Sequence, residues 1–251
     1  MAGAAVQRRL SWRAGEVAEL IDETPRVRTI VMAVPGWPGH LAGQHVDVRL
    51  TAADGYQTQR SYSIASPPDV AERVAVTVER LDDGEVSSFL AGDLRVGDRL
   101  EFRGPIGGYF VWDVGVGGPL LLVAGGSGIC PLMAMLRHRA AQGSTVPARL
   151  LYSARSLDDV IYRNELDRLA AAGDGLEVVY TLTRAQPPDW SGYRRRIDAD
   201  MLAAIGWTAS AHPLTFVCGP TPLVESVAEA LVQLGHDAAR IKTERFGPTG
   251  G

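Results

Sequence analysis

Hydrophobic and polar positions follow two different rhythms along the 251 residues of this chain. From Trp12 to about Asp113 the apolar residues alternate in short stretches, and Pro-Gly and Asp-Gly pairs separate these stretches. Several short strands at this spacing are typical of an antiparallel barrel or sandwich. Strands are predicted over 27–34, 44–50 and 73–80, a further polar strand around 59–66, and the one helix of this half over 86–94.

The rhythm changes after the glycine-rich residues 115–118. Residues 119–124 are a continuous apolar run between glycines, which is typical of a strand buried on both faces. Strands and helices then alternate, which predicts βαβ units and a parallel sheet. The predicted strands cover 119–124, 148–153, 176–181, 214–218 and 240–242, and the helices 129–142, 161–171 and 222–234.

The two rhythms predict two domains: an antiparallel β-barrel over 12–114 and an α/β domain over 119–251. An N-terminal tail over 1–11 and a linker over 115–118 complete this division. The helix over 161–171 is expected to present an apolar face formed by residues 160–162 and Leu166.

Composition excludes several classes of protein. The formal charge of −4 gives no reason to expect nucleic-acid binding. The two cysteines, Cys130 and Cys218, lack a Cys-x-x-Cys spacing, so they supply neither a four-thiolate iron–sulfur cluster nor a disulfide framework. The five histidines show no metal-ligand spacing, and we expect no metal. No signal peptide or membrane span is expected, and a reducing cytoplasm is the expected compartment.

A glycine-rich loop connects the first predicted strand and helix of the second half. It contains Gly125, Gly126, Ser127 and Gly128, and Pro131 follows in the first helical turn. Glycines allow a backbone to approach a pyrophosphate closely, and a helix N-terminus offers free N–H groups to it. Dinucleotide binding is the favoured interpretation, although the last position of the usual Gly-x-Gly-x-x-Gly pattern is proline. A plain tight turn is the alternative.

Six short motifs occur in a fixed order along the chain. They are Arg60-x-Tyr62-Ser63, Gly84-x-Val86-Ser87, the run from Gly104 to Phe110, the Gly125 loop, Cys218-Gly219-Pro220 and Glu244-x-Phe246. Together they resemble the ferredoxin–NADP reductase family over residues 12–246. The resemblance implies a flavin-binding barrel followed by a nicotinamide-nucleotide domain.

The resemblance assigns flavin contacts to the barrel. It implies that Arg60 pairs with the flavin pyrophosphate, that Tyr62 stacks on the isoalloxazine ring, and that Ser63 hydrogen-bonds near the flavin N5. It further implies a pyrophosphate cradle and a strand lining the ring. The cradle is Gly84, Val86 and Ser87, and the strand residues are Thr77 and Val78. Contacts to the pyrophosphate from two sides, by Arg60 and by this cradle, favour FAD over FMN as the bound flavin.

The resemblance also assigns residues beside the nicotinamide. Cys218, with Gly219 and Pro220, would lie next to that ring, Glu244 close to the flavin and the cysteine, and Phe246 over the flavin face. Ser63, Cys218 and Glu244 are therefore the candidate catalytic residues. From the residues alone, Cys218 is by default a small buried hydrophobe, and a surface carboxylate is the alternative for Glu244. The sequence departs from the plant-type pattern by having Phe instead of Tyr at 246 and by continuing to residue 251.

Two arginines suggest which nucleotide is bound. Arg155 follows the second strand of the α/β half, and Thr183-Arg184 follows the third, with no acidic residue before Asp158. An arginine here suits the 2′-phosphate of NADPH, whereas NADH-binding folds usually have an acid at the ribose. NADPH is the expected donor, NADH remains possible, and two solvated arginines are the alternative. The run 194–196 is expected to be a solvated loop.

These inferences predict an NAD(P)H-dependent flavoprotein reductase. Because the chain has no cluster of its own, a separate ferredoxin or oxygenase-linked carrier is the expected acceptor. The alternatives are a flavin or ferric reductase that acts on a small acceptor, and an electron-transfer subunit of a larger oxidoreductase.

Overall fold

The computed structural model describes residues 10–52 and 54–247. Residues 1–9 of the predicted tail and the extension over 248–251 lie outside the described residues. The described chain forms two sheets, a six-stranded antiparallel one and a five-stranded parallel one. The predicted fold class is confirmed, while the linker over 115–118 stays a prediction.

The first sheet is a barrel-like antiparallel layer in the order β4-β3-β6-β1-β2-β5. An isolated bridge between Ile64 and Val76 brings its two edge strands together. Alternate residues such as Ile30, Val48 and Phe102 fill the interior. The strands are β1 Arg13–Thr24, β2 Val27–Ala33, β3 His45–Thr51, β4 Gln57–Ser63, β5 Arg73–Glu79 and β6 Arg99–Ile106.

Sequence reasoning did not predict β1 and β6. Of the twelve residues of β1 only Gly15 and Val17 are buried, so its hydrophobic alternation is weak. The helix predicted over 86–94 is the short α1, Glu85–Ser88, followed by a π-helical turn over Phe89–Asp93. Burial of Val86 and Leu90 gives this segment its apolar face.

The second sheet is fully parallel in the order β11-β10-β7-β8-β9. Every residue of its central strand β7, Leu120–Gly125, is buried, as the unbroken apolar run predicts. The remaining elements are α2 Ile129–Ala141, β8 Ala148–Ala154, α3 Arg163–Ala171, β9 Leu176–Leu182, α4 Ala199–Ile205, β10 Leu214–Pro220, α5 Thr221–Gln233 and β11 Ile241–Phe246. The short α4 was not predicted.

The predicted start of α3 was wrong. Val160 is extended and Tyr162 adopts a left-handed conformation (φ 61°, ψ 22°), so the helix begins only at Arg163. Residues 160–162 are buried as expected, yet they precede the helix and do not form its face. A left-handed residue redirects the chain sharply, and this allows the apolar run to pack before the helix begins.

Both halves of the molecule share one hydrophobic cluster. Phe110 and Trp112, which follow β6, pack in the same cluster as Leu122 and Phe216 of the parallel sheet. The rings of Phe110 and Phe216 meet edge to face with centroids 5.1 Å apart. This shared core holds the carboxyl ends of the parallel strands against the barrel.

Candidate active site

The glycine loop makes the sharp turn from β7 into α2. Gly126 has a positive φ of 53°, a conformation that glycine adopts without strain. A Cβ on Gly128 would lie 2.1 Å from the carbonyl oxygen of Cys218, so no larger residue fits there. The buried Tyr152 donates its hydroxyl to the carbonyl of Gly126 at 3.0 Å. Ser127 lies between these two glycines, and Pro131 lies in the first turn of α2. The predicted strand–loop–helix arrangement is therefore formed.

Cys218 and Glu244 lie side by side because β10 and β11 are parallel and place these two residues in register. The Cys218 Sγ is 3.9 Å from Glu244 Oε2. Burial raises the pKa of Glu244 to about 7. Burial, reinforced by the adjacent Glu244, raises the pKa of the Cys218 thiol. The thiol is therefore neutral, and the carboxyl group can take up or release a proton near neutral pH.

A cavity of about 160 Å³ opens between the end of β4 and the end of β11. Its wall is formed by His45, Ser61, Ser63, Glu244, Arg245 and Phe246. The structure thus brings together the predicted catalytic residues Ser63 and Glu244 from different domains. The Oγ of Ser63 is buried and makes no hydrogen bond with the described residues. A buried hydroxyl without a partner is costly, so this atom is suited to a ligand.

His45 belongs to this site, although sequence reasoning treated it as structural or exposed. It begins β3 directly opposite Ser63 of β4, so both side chains project from the same face of the sheet. Burial lowers the pKa of His45, which keeps the ring neutral at physiological pH. The polar residue at every second position of β3 is the only signal in the sequence, and it does not reveal the strand's register.

Tyr62 and Arg60 lie on β4, one and three residues before the strand ends at Ser63. Tyr62 is half-buried against the barrel core, and burial raises its pKa to about 12. Arg60 is exposed, and its guanidinium donates only to the carbonyl of the neighbouring Gln59 among the described residues. A guanidinium with free donors suits a bound phosphate.

The remaining predicted flavin residues lie on β5 and α1. The Thr77 side chain is buried and hydrogen-bonded to Thr29 at 2.7 Å, and Val78 is fully buried in the barrel core. Gly84 precedes α1, Val86 is buried, and Ser87 Oγ accepts from the backbone N–H of Leu81 at 3.2 Å.

The ends of β8 and β9 are joined by backbone hydrogen bonds. The N–H of Thr183 donates to Ala154 at 3.0 Å, and that of Arg184 donates to Arg155 at 2.8 Å. The exposed Arg155 and Arg184 are thereby adjacent, and neither forms an ion pair within the described ranges. Farther along, Arg195 pairs with Asp198 at 2.7 Å.

Phe246 and the segment after Cys218 complete the site. Pro220 and Phe246 are paired at the ends of β10 and β11, with Gly219 between Cys218 and Pro220. The Phe246 ring is half-buried against the shared core.

A larger cavity of about 370 Å³ lies near the β1–β2 turn and contains none of the predicted site residues.

Comparison with known proteins identifies the family to which the two domains belong. Residues 15–111 match the Oxidoreductase FAD-binding domain family, and residues 122–229 match the Oxidoreductase NAD-binding domain family. The chain is 36% identical over 210 residues to ferredoxin--NADP reductase B of Sorangium cellulosum, covering 82% of this chain and 84% of that protein. The chain belongs to the ferredoxin–NADP reductase family. FAD and a nicotinamide nucleotide are the cofactors of its two domains.

Other members differ in length from this chain. It is 34% identical over 208 residues to the glycine betaine monooxygenase reductase subunit of Pseudomonas aeruginosa, covering 82% of this chain and 56% of that subunit. The chain thus spans little more than half of this relative. The FAD/NAD-binding domain of nitric oxide dioxygenase from Vibrio cholerae superposes with a TM-score of 0.82 at 26% identity, covering 94% of this chain and 99% of that domain.

The residues present fit the family's cofactors. The unpartnered Ser63 Oγ and the free Arg60 guanidinium provide a hydrogen bond and a positive charge in the barrel half. The glycine at 128 lets the start of α2 pack directly on the backbone of Cys218, where a Cβ would clash. No helix in residues 10–52 and 54–247 is long and apolar enough to cross a membrane.

Proposed function

We propose that this chain takes hydride from NADPH onto bound FAD and passes the electrons to a separate protein, a ferredoxin or an oxygenase-linked carrier. The observation that carries the proposal is the cavity built jointly by Ser63 of the barrel and Glu244 of the parallel sheet, with Cys218 beside Glu244. Bound FAD supplies both hydride acceptance and release of single electrons. A cavity shared by the two domains is where two redox cofactors have to meet.

Each residue has a distinct task in this proposal. Ser63 offers its free hydroxyl to the flavin ring, Arg60 offsets the charge of the pyrophosphate, and Tyr62 covers the ring. Cys218 is a neutral, compact surface beside the nicotinamide. Glu244 holds a proton near neutral pH and releases it without leaving the cavity, because its pKa is about 7. Phe246 shields the cavity from water.

The nucleotide preference rests on the arginine pair. Arg155 and Arg184 are exposed neighbours at the carboxyl edge of the parallel sheet, which is where such sheets bind ligands. Two guanidinium groups that pair with no carboxylate among residues 10–52 and 54–247 favour a phosphate over a ribose hydroxyl. NADPH is therefore the proposed donor.

The acceptor is proposed from the relatives. One of them is named a ferredoxin--NADP reductase and another a monooxygenase reductase subunit. Both names imply delivery of electrons to another protein. The free, buried Cys130 and Cys218 thiols are consistent with a cytoplasmic setting, which we include in the proposal.

Competition between acceptors tests this function. The FAD-loaded protein is supplied with NADPH and, in separate reactions, with a [2Fe–2S] ferredoxin, free FMN or a ferric chelate. We expect reduction of the ferredoxin to have the highest kcat/KM. Fast reduction of FMN or the chelate without any ferredoxin reduction would identify a small-acceptor reductase instead.

A further inference from the structure

Tyr162 is a buried residue that reaches from the nucleotide domain into the barrel. It precedes α3 in a left-handed conformation, and only 3% of the residue is exposed. A bulky residue keeps such a backbone conformation only where its surroundings fix it. Contacts across the domain boundary fix Tyr162, and Tyr162 belongs to none of the six sequence motifs.

The hydroxyl of Tyr162 ends a chain of buried hydrogen bonds. It contacts Thr77 Oγ1, which is 2.7 Å from Thr29 Oγ1, and the Thr29 hydroxyl also approaches Glu23 Oε1 at 2.7 Å. Thr29 and Thr77 face each other on β2 and β5. The backbone carbonyl of Thr77 also accepts the thiol of Cys130 from α2 at 4.0 Å. The nucleotide domain thus contacts strand β5 through both the side chain and the backbone carbonyl of Thr77.

Arg137 fixes the ring of Tyr162 from another direction. Its guanidinium lies 4.8 Å from the ring centroid and forms two bonds with Glu165 of α3, at 3.0 and 2.6 Å. The third guanidinium nitrogen donates to the carbonyl of Ala65 in the barrel at 2.8 Å. The tyrosine is consequently contacted at its ring face by Arg137 and at its hydroxyl by Thr77.

We propose that Tyr162 is a positioning residue whose hydroxyl bond to Thr77 fixes strand β5 of the flavin half relative to the nucleotide half. The inference rests on the proposed function, since it concerns the distance between the two cofactors. Hydride transfer requires reacting atoms about 3–3.5 Å apart, so small shifts between the domains slow the step strongly. Binding of the nucleotide alone depends only on the parallel sheet and is insensitive to this bond.

Tyr162→Phe tests the proposal because it deletes one hydroxyl and keeps the ring under Arg137. Tyr180→Phe is the matched control: it deletes a hydroxyl that bonds Asp167 at 2.9 Å within the nucleotide domain. Stopped-flow reduction of the FAD-loaded protein by NADPH gives a limiting rate and a Kd. We expect Tyr162→Phe to lower the limiting rate roughly tenfold, about the worth of one lost buried hydrogen bond, with Kd within about twofold. Tyr180→Phe should change neither.

Amide hydrogen exchange provides a readout that needs no turnover. In Tyr162→Phe we expect faster exchange in both 73–79 and 160–166, and in Tyr180→Phe no change in 73–79. Thr77→Val removes the same bond from the barrel side and should reproduce the effect, and the double variant should lose no more than either single one. If Tyr162→Phe does not fold, Thr77→Val carries the same expectations.

Two results would overturn the inference. One is wild-type exchange in 73–79 together with a wild-type limiting rate in Tyr162→Phe. The other is an equal fall in rate for the Tyr180→Phe control. Failure of the unaltered protein to be reduced by either nucleotide would remove the proposed function instead, and the exchange data would still decide whether Tyr162 couples the domains.

Discussion

The barrel and the parallel sheet form the candidate site in opposite ways. In the parallel sheet the backbone fits closely, and the space above Gly128 is filled by the carbonyl of Cys218. In the barrel a buried polar atom, Ser63 Oγ, has no hydrogen-bond partner in the part of the chain that the structure describes. The parallel sheet excludes a side chain at Gly128, whereas the barrel retains hydrogen-bonding capacity at Ser63. At these two positions the parallel sheet packs backbone against backbone, whereas the barrel offers a side-chain hydroxyl to a ligand.

The largest effect should come from Gly128→Ala. The added methyl group would lie 2.1 Å from a backbone oxygen that cannot rotate away, so the loop and β10 have to separate. We expect a loss of about 3 kcal/mol in the free energy of unfolding and a fall of more than about 100-fold in reduction by NADPH. Urea unfolding and stopped-flow absorbance measure the two effects.

Gly92→Ala is the control for that substitution, because nothing lies within 4 Å of its added methyl group. Near wild-type stability and rate in Gly128→Ala would show that the close approach of loop and strand has no function.

Ser63→Ala should affect rate and stability in opposite directions. Without cofactor, removal of an unpartnered buried hydroxyl is expected to leave the free energy of unfolding unchanged or to raise it slightly. With FAD bound, the limiting rate of reduction should fall roughly 100-fold, the lower end of the effect seen when a single positioned donor is removed. Ser61→Ala, on the same face of β4, is the comparison: Ser61 already donates to Asp47 at 2.7 Å, so its loss should lower stability more than rate. The reverse pattern would contradict the assignment.

Removal of Arg155 or Arg184 should alter selectivity and leave the chemistry unchanged. We expect each alanine variant to raise the KM for NADPH roughly tenfold, the loss of one charge-assisted bond to phosphate, and to leave the KM for NADH within about twofold. Steady-state kinetics with both nucleotides measure this. Arg168→Ala, a solvent-exposed arginine on α3, should change neither KM. Equal increases for both nucleotides would mean that the pair does not bind the 2′-phosphate.

Glu244 should make the stability of the protein depend on pH. Its folded-state pKa of about 7 exceeds the ordinary value of 4.5, so the folded state holds the proton more tightly than the unfolded state. Its stabilising contribution is complete below pH 4.5 and is lost as pH rises through 7. Relative to Glu244→Gln, the unaltered protein should lose about 2 kcal/mol of unfolding free energy between pH 5 and 8.

Urea unfolding across that range measures the difference, and Glu225→Gln is the control because Glu225 is exposed and paired with Arg245. A difference between the unaltered protein and Glu244→Gln that does not vary with pH would show that the carboxyl group is not buried in the folded protein.

The half of the site that the sequence predicts best is the half formed by neighbours along the chain. The buried run ending at Gly125, the glycines and Pro131 are contiguous, so strand, loop and helix could all be inferred from local pattern. Cys218 and Glu244 were identified only through the resemblance, because their contact depends on the pairing of β10 with β11. A register between strands leaves no mark in either strand alone.

The barrel was harder to predict for the same reason. His45 meets Ser63 because β3 pairs with β4 in one particular register, and the order β4-β3-β6-β1-β2-β5 joins strands far apart in sequence. The polar strand β1 and the left-handed Tyr162 were missed or misassigned because tertiary contacts override local pattern at both places. The positions of residues that depend on long-range contacts could not be predicted from the local sequence pattern.

The central claim is that the two halves meet to transfer hydride from NADPH to FAD. An anaerobic titration of the FAD-loaded protein with NADPH and, separately, with NADH tests it most directly by following the flavin absorbance band. The account predicts bleaching by both nucleotides, faster and at lower concentration with NADPH. A flavin band that neither nucleotide bleaches would contradict hydride transfer, and faster bleaching by NADH would contradict the role of Arg155 and Arg184.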